Sequence, residues 1–233
     1  MKKITYLIPV YNEIRTVRRA IEDIINLKYH NKEIIIIDNG STDGSQKIIN
    51  TFKNNKIIKI ILRKKNLGYG RTIDEGIKKA QGDYIFIQYA DLEYDYKIST
   101  KMIQLAEKYQ LDVIIGSRLK KGWEKNIIKI IIKKPAYLAT IICTFLINKF
   151  YNKNFTDIIG GKFYRTSSVK KIQINSYHTG FDFEFFSRIC KKNFKIKEIF
   201  IKYKPREHSA EKKIKFYHMI NALYEIFKVK FFG

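Results

Sequence analysis

The sequence predicts an α/β domain built on a doubly wound, mostly parallel sheet. Between Lys3 and Ser117, short β-prone apolar runs alternate with segments of helical periodicity, and the connections are short. The runs, "EIIIID" and "YIFIQY" among them, are nearly continuous in apolar residues, as befits strands buried on both faces. The stretches that follow the runs are polar, and sheets of this kind bind ligands beyond their strands' carboxyl ends.

Each element can be justified in order. The opening "MKKITYLIPVYNE" imitates a signal peptide, with two lysines and an apolar run. That run is short, stops at Asn12-Glu13 and lacks a small-residue cleavage site, so it reads as a first strand. From Glu13 to Leu27, Ile14, Val17, Ile21, Ile24 and Ile25 recur near helical spacing. "EIIIID" is a second strand, followed by a helix from about Asp43 to Phe52, and "IIKIIL" is a third. A helix from about Tyr69 to Ala80 leads into "YIFIQY", and another from about Ile98 to Tyr109 leads into "LDVIIG". Chemistry is therefore expected at Pro9–Glu13, Asp38–Asp43, Asn66–Arg71, Ala90–Asp95 and Gly116–Lys121. After Trp123 the texture changes. Ile127 to Tyr151 is rich in Ile, Lys and Phe and broken by Pro135, and Phe216 to Phe232 is a second aromatic-basic segment. There is no repeat and no low-complexity linker. The 233 residues read as one domain, with about 1–120 as its ligand-binding half and 121–233 as the remainder.

Composition narrows the partners. The chain carries 46 Lys+Arg against 22 Asp+Glu, a net charge of +24. The abundance of Ile, Lys, Asn, Tyr and Phe points to AT-rich coding bias, which makes lysine common without abolishing its field. Such a surface attracts nucleic acid, anionic lipid headgroups or phosphorylated ligands, and charge alone does not choose among them. No segment reaches the ~18–20 apolar residues needed to span a bilayer. Cys143 and Cys190 lack the spacing for metal or redox work, and a reduced cytoplasmic protein accounts for both.

The polar stretches hold the candidate sites. In "IDNGSTDGS" the chain turns out of a strand through Asn39-Gly40, with Ser41 or Thr42 placed to cap the next helix and Asp43 in its first turn. Asp38 and Asn39 could accept hydrogen bonds from a nucleobase edge, although an ordinary strand–turn–helix explains the pattern as well. "NLGYGRTIDEGIKKAQGD" has glycines but lacks the spacing of a dinucleotide fingerprint and follows the third strand, which excludes a Rossmann cofactor site. There Gly68 and Gly70 let backbone approach a bound group, and Arg71 adds charge. "ADLEYD" places Asp91, Glu93 and Asp95 at alternate positions after a buried strand. One or two carboxylates sharing a cation with substrate phosphates is the usual way proteins hold Mg²⁺. Asp83 and Asp95 also suit a turn and a helix cap.

The chain resembles the family 2 glycosyltransferases, and within them the dolichyl- and polyprenyl-phosphate sugar transferases. The matching pieces are "LIPVYNE", "EIIIIDNGSTDGS", "NLGYGRTIDEGIKKAQGDYI", "ADLEYD", "GSR", "FTDIIGGKFYR", "GFDFEFFSRI" and "IKYKPREHSAEKKI", in family order from Lys3 to Ile214. The resemblance implies the GT-A (Rossmann-like) nucleotide-sugar-binding fold. It also implies a nucleotide-sugar site lined by Pro9, Tyr11, Glu13 and Asp38, to which Asn39, Gly68, Arg71 and Ala90 are added, with a divalent metal, Mg²⁺ or Mn²⁺, at Asp91 and Glu93. Two departures stand out. Tyr89-Ala90-Asp91 replaces the family's Asp-Ala-Asp, and Asp38-Asn39-Gly40-Ser41 replaces Asp-Asp-Gly-Ser. An amide oxygen at Asn39 accepts more weakly than a carboxylate.

The acceptor divides two readings. A phosphate monoester has its second pKa near ~6 and is a ready nucleophile at neutral pH, whereas a sugar hydroxyl needs a general base. A polyprenyl-phosphate acceptor calls for cations, for which Arg118, Arg206, Lys212 and Lys213 are candidates. A saccharide acceptor calls for a base, for which Asp182 or Glu184 is placed, and Asp157 is either catalytic or a brace for the loop at Gly160-Gly161. The expectation is an inverting glycosyltransferase moving a sugar from a nucleoside diphosphate to a polyprenyl phosphate, peripheral at the cytoplasmic membrane face. The alternatives are a same-fold enzyme acting on a saccharide hydroxyl and a non-catalytic basic protein. No nucleic-acid partner is expected. Two stretches, 135–151 and 216–233, have the composition of interfacial amphipathic helices or of helices packed on the sheet. In the second, Phe216, Ile220, Leu223 and Phe227 form a stripe.

Overall fold

The computed structural model describes residues 1–119, 136–177, 180–204 and 216–233. The elements run β1 (Ile4–Val10), α1 (Val17–Ile25), β2 (Lys32–Asp38), α2 (Ser45–Asn50), β3 (Ile58–Leu62), α3 (Tyr69–Lys79), β4 (Tyr84–Ile87), α4 (Ile98–Tyr109) and β5 (Val113–Ser117). They continue with α5 (Ala136–Tyr151), β6 (Gly161–Arg165), the single turn α6 (Thr166–Val169), α7 (Phe181–Lys191), β7 (Ile196–Phe200) and α8 (Phe216–Phe232).

All five expected strands form. Two more, β6 and β7, come from the half that periodicity left unassigned. The sheet order is β3-β2-β1-β4-β6-β5-β7, parallel except for β6, which is inserted antiparallel between β4 and β5. Side-chain alternation divides the core between the two faces. Leu7, Ile35, Ile85 and Ile115 meet α3, α5, α7 and α8 on one face. Tyr6, Ile34, Phe86 and Ile114 meet α1 and α4 on the other. The strand order reverses at β1, with β2 on one side and β4 on the other. That switch point is where an open α/β sheet forms its crevice.

Helix α2 differs from expectation at its start. It begins at Ser45 after Gly44, whose φ of 98° is left-handed, and neither Ser41 nor Thr42 caps it. Those residues stitch the loops after β1 and β2 together instead. Ser41 Oγ accepts from the Asn12 amide at 2.9 Å, the Thr42 amide donates to Asn12 Oδ1 at 2.9 Å, and Asp43 Oδ2 accepts from the Ile14 amide at 2.9 Å. Gly40 is required by the same turn: φ is +81°, and a Cβ there would lie 2.5 Å from the Lys65 backbone.

The two stretches with interfacial composition form α5 and α8, and both pack on the domain in part. Cys143 and Ile147 of α5, and Ala222, Ile226 and Val229 of α8, are buried. Phe150 stands edge-on to Phe227 and Phe231 at 5.3 and 6.1 Å. The opposite faces stay open, leaving Phe145, Ile220, Tyr224, Phe227 and Phe231 exposed. The expected stripe is therefore split, with Leu223 against the core and Ile220 and Phe227 toward solvent. Among the described residues no helix is long and apolar enough to cross a membrane.

Candidate active site

A cavity of about 390 Å³ opens at the switch point. Its walls are Pro9, Val10, Tyr11 and Glu13 after β1, Asn39 after β2, Asn66, Gly68, Tyr69 and Thr72 at the start of α3, Tyr89 and Asp91 after β4, and Asp182 from α7. Four of the five expected stretches contribute. Among the described residues the fifth, after β5, does not, and α7 contributes Asp182.

The loop after β2 is built around Asp38 and Asn39. Asp38 is fully buried, and its Oδ1 accepts from the amides of Gly40 and Ser41 at 3.0 and 2.9 Å and from Gln46 Nε2 at 2.6 Å. Asp38 lies behind the cavity wall rather than in it. Asn39 lines the cavity and works in both directions. Its Nδ2 donates to Asn66 Oδ1 at 2.7 Å, while its Oδ1 accepts from Arg63 Nη1 at 2.9 Å and the Leu67 amide at 3.1 Å. A carboxylate could not make the first of these bonds. That accounts for asparagine at this position, and it commits the amide oxygen within the protein rather than to a nucleobase. Arg63, which sequence reasoning passed over, is the hub, since it also reaches Thr72 Oγ1 at 3.0 Å and Glu75 at 2.6 Å. Its signal was the strand end it occupies.

Gly68 lines the cavity with a φ of 90°, a backbone conformation that favours glycine. Gly70 serves packing instead, because a Cβ there would lie 2.6 Å from Ser176 O and 2.7 Å from the Phe181 ring. Arg71 stacks its guanidinium on Tyr177, 4.9 Å from the ring centroid, and Ala90 is buried; neither lines the cavity.

The three carboxylates after β4 do not converge. Leu92 takes a left-handed φ of 61°, which breaks the extended alternation between Asp91 and Glu93. Asp91 lines the cavity, and its Oδ1 accepts from the Glu93 amide at 3.2 Å. Glu93 is not part of the lining. Its side chain hydrogen-bonds Tyr203, whose hydroxyl is pushed upward in pKa by burial and by that carboxylate. Asp95 accepts from the Lys97 amide at 2.9 Å ahead of α4, and Asp83 accepts from the Lys3 amide at 2.7 Å.

On the other wall, Asp182 and Glu184 part company although both lie in the first turn of α7. Asp182 reaches the cavity and pairs with Lys162 Nζ at 2.5 Å. Glu184 is fully buried and accepts from the Ser176 amide at 2.6 Å and from Arg188 Nε at 2.8 Å, bracing the turn before α7. It is not among the residues that line the cavity. Lys162 comes from β6, a strand the sequence reading did not find. Burial works against its ammonium, but Asp182 and the neighbouring phenols outweigh burial and hold its pKa well above the usual lysine range.

Arg118, expected to bind phosphate, forms a bidentate pair with Asp157 at 2.6 and 3.0 Å and lies over Tyr137 and Tyr203. Burial opposes its charge and Asp157 more than restores it, so its pKa moves up. Asp157 also accepts from the amides of Arg118 and Ile159, both at 3.0 Å, which makes it the brace of its loop. Arg206, Lys212 and Lys213 lie outside the described residues.

The family model described as glycosyl transferase family 2 matches residues 5–173. This chain belongs to glycosyl transferase family 2. Family 2 relatives include a poly-beta-1,6-N-acetyl-D-glucosamine synthase of Staphylococcus epidermidis, 37% identical over 101 residues, which are 43% of this chain and 24% of that protein. The synthase of that name from Staphylococcus aureus is 34% identical over 117 residues, 50% of this chain and 28% of that protein. The chain therefore spans about a quarter of the length of these curated relatives. Among solved structures, glucosyl-3-phosphoglycerate synthase from Mycobacterium tuberculosis, in complex with Mn²⁺, UDP and glucosyl-3-phosphoglycerate, superposes with a TM-score of 0.67. It is 13% identical, and the match covers 98% of this chain and 80% of that one. The mixed α/β sheet is thus the GT-A glycosyltransferase fold.

The residues of this family 2 member suit a divalent cation held by one protein carboxylate and a ligand's own phosphates. Asp91 faces the cavity, and among the described residues no group of three or more His, Cys, Asp and Glu side chains could form a closed cage.

Proposed function

We propose that the chain is a nucleotide-sugar-dependent, inverting glycosyltransferase domain acting on a saccharide hydroxyl. One observation carries this reading: a carboxylate from β4, Asp91, and one from α7, Asp182, face a single cavity at the sheet's switch point. Asp182 is placed as the base. It takes the proton of an acceptor hydroxyl as that oxygen bonds to the sugar's anomeric carbon and the bond to the diphosphate breaks. The carbon inverts, and the diphosphate leaves with the electron pair. A divalent cation, Mg²⁺ or Mn²⁺, held by Asp91 and the diphosphate would neutralise the charge of the leaving group. Asn39, Asn66 and Gly68 shape the wall beside it. The names of the staphylococcal relatives, synthases of a saccharide polymer, support the saccharide acceptor.

The test is transfer by the purified protein from a panel of nucleotide sugars, with Mn²⁺, to saccharide acceptors and to a polyprenyl phosphate in parallel. Transfer to saccharides that is lost in Asp182→Asn supports the reading. Transfer to the lipid phosphate alone, undiminished in Asp182→Asn, replaces it with the polyprenyl-phosphate reading.

The exposed face of α5 and α8 favours that second reading in one respect. Phe145, Tyr224, Phe227 and Phe231 stand in solvent beside Lys149, Lys228 and Lys230 in a chain of net charge +24. This is the composition of a surface that rests on anionic lipid, consistent with a peripheral place at the inner membrane face. Flotation with phosphatidylglycerol vesicles at low salt checks it: the protein should float, and Phe227→Ser/Phe231→Ser should stay below. Wild-type protein left with the soluble fraction removes the lipid surface from the account.

A further inference from the structure

At Tyr89 the hydrogen-bond arrangement is specific. Lys162 Nζ donates to the Tyr89 hydroxyl at 3.1 Å, and the Tyr69 hydroxyl donates to it at 3.1 Å. A phenol oxygen has two acceptor sites and one proton. Both acceptor sites are taken, so the proton of Tyr89 must be offered elsewhere, and Tyr89 lines the cavity together with Asp91. The ring is fixed for that purpose by stacking on Tyr69, with centroids 6.3 Å apart and planes 18° from parallel. Lys162 is itself anchored by Asp182 at 2.5 Å and buried in β6 beneath the cavity wall. Burial keeps the phenol protonated at neutral pH, while the adjacent ammonium makes it a stronger donor.

We propose that Tyr89 is a phosphate-recognising residue, a hydrogen-bond donor polarised by Lys162 and directed at an oxygen of the donor's diphosphate. An acid at this position can only accept from a ligand or hold a metal. The tyrosine contributes a donor instead, so part of the recognition of the diphosphate no longer depends on a cation. Lys162 is a positioning residue that acts through Tyr89. The proposal rests on reading the cavity as the nucleotide-sugar site.

The experiment measures dissociation constants of UDP, GDP and the corresponding nucleosides by calorimetry, in EDTA and in Mn²⁺. Tyr89→Phe removes only the hydroxyl and should weaken diphosphate binding in EDTA by about 10-fold or more, leaving the nucleosides unaffected. Lys162→Met should produce a similar phosphate-specific loss, and Lys162→Arg should restore much of it. The double variant should lose little more than Tyr89→Phe alone, since both changes remove one interaction. Tyr89→Asp should bind diphosphates only with Mn²⁺, read directly from bound Mn²⁺ by electron paramagnetic resonance. Equal UDP affinity in Tyr89→Phe and wild type overturns the proposal, as does an equal loss for uridine and UDP. If the wild type binds neither diphosphate even with Mn²⁺, the nucleotide-site reading falls and takes the proposal with it.

Discussion

Two charged pairs stand near the carboxyl edge of the sheet, and they have opposite characters. Lys162–Asp182 closes at 2.5 Å with the carboxylate 21% exposed, and that carboxylate lines the cavity. Arg118–Asp157 closes at 2.6 Å with the carboxylate 0% exposed, covered by Tyr137 and Tyr203. Both arise from motifs that polar spacing singles out equally well. A strand's carboxyl end brings charged residues to one edge of the sheet, and accessibility then separates a site from a brace. Asp182 has an oxygen to offer a substrate, whereas Asp157 has spent its acceptors on Arg118 and two backbone amides.

The largest expected effect tests the brace. Arg118→Ala strands a buried carboxylate and should cost about 3–5 kcal/mol of stability, read as a fall in the urea midpoint. UDP affinity in the folded fraction should hold. A variant as stable as wild type but with a raised acceptor KM would return Arg118 to the substrate side and erase the contrast.

Asp91→Asn tests the cavity that Asp182 shares. It should lower turnover by about 100-fold or more with the unfolding midpoint nearly unchanged, because asparagine has the same shape and its Oδ1 can still accept from the Glu93 amide. Mn²⁺ titration should show the metal requirement weakened along with it. Undiminished turnover, or full activity in EDTA, would take Asp91 out of the site.

The contrast also marks what the sequence makes legible. The runs that became β1 to β5 could be read directly, because strands buried on both faces have few ways to be written. So could the four stretches that line the cavity. Three things could not. The pairing of Asp91 with Glu93 at one metal assumed extended backbone, and a left-handed Leu92 is invisible to residue type. Asp182 and Glu184 are two residues apart on a helix, which turns them to different faces, and only the packing of α7 decides which face meets the ligand. Lys162 sits on an antiparallel strand whose partners, β4 and β5, come far earlier in the chain. No local pattern predicts that pairing, so the lysine most intimate with the cavity wall looked like one among many.

The smallest effect extends the comparison to the opposite edge of the sheet, where acids are expected to be structural. Glu33 is the second residue of β2 there, and its carboxylate accepts from Thr5 Oγ1 at 2.5 Å, from the amides of Gln81 and Gly82 at 2.6 and 3.0 Å, and from Lys3 Nζ at 3.1 Å. Burial pushes its pKa up, but these donors outweigh burial and leave it below the ordinary glutamate value of 4.5. A carboxylate depressed in the folded state adds stability that is fully present above its unfolded value and is lost as pH falls through its folded one. The wild-type urea midpoint should therefore be flat near neutrality and decline below about pH 4.5. Glu33→Gln should start lower at pH 7 and decline less steeply in acid. Some slope must remain, because Asp83 shares that edge and is also depressed, chiefly by the Lys3 amide. UDP affinity at pH 7 should not change, in contrast to Asp91→Asn. An acid slope identical to wild type would mean that Glu33 is not held as these bonds imply. A loss of UDP affinity would mean that the two edges of the sheet are not separable, and that burial alone does not tell a brace from a site.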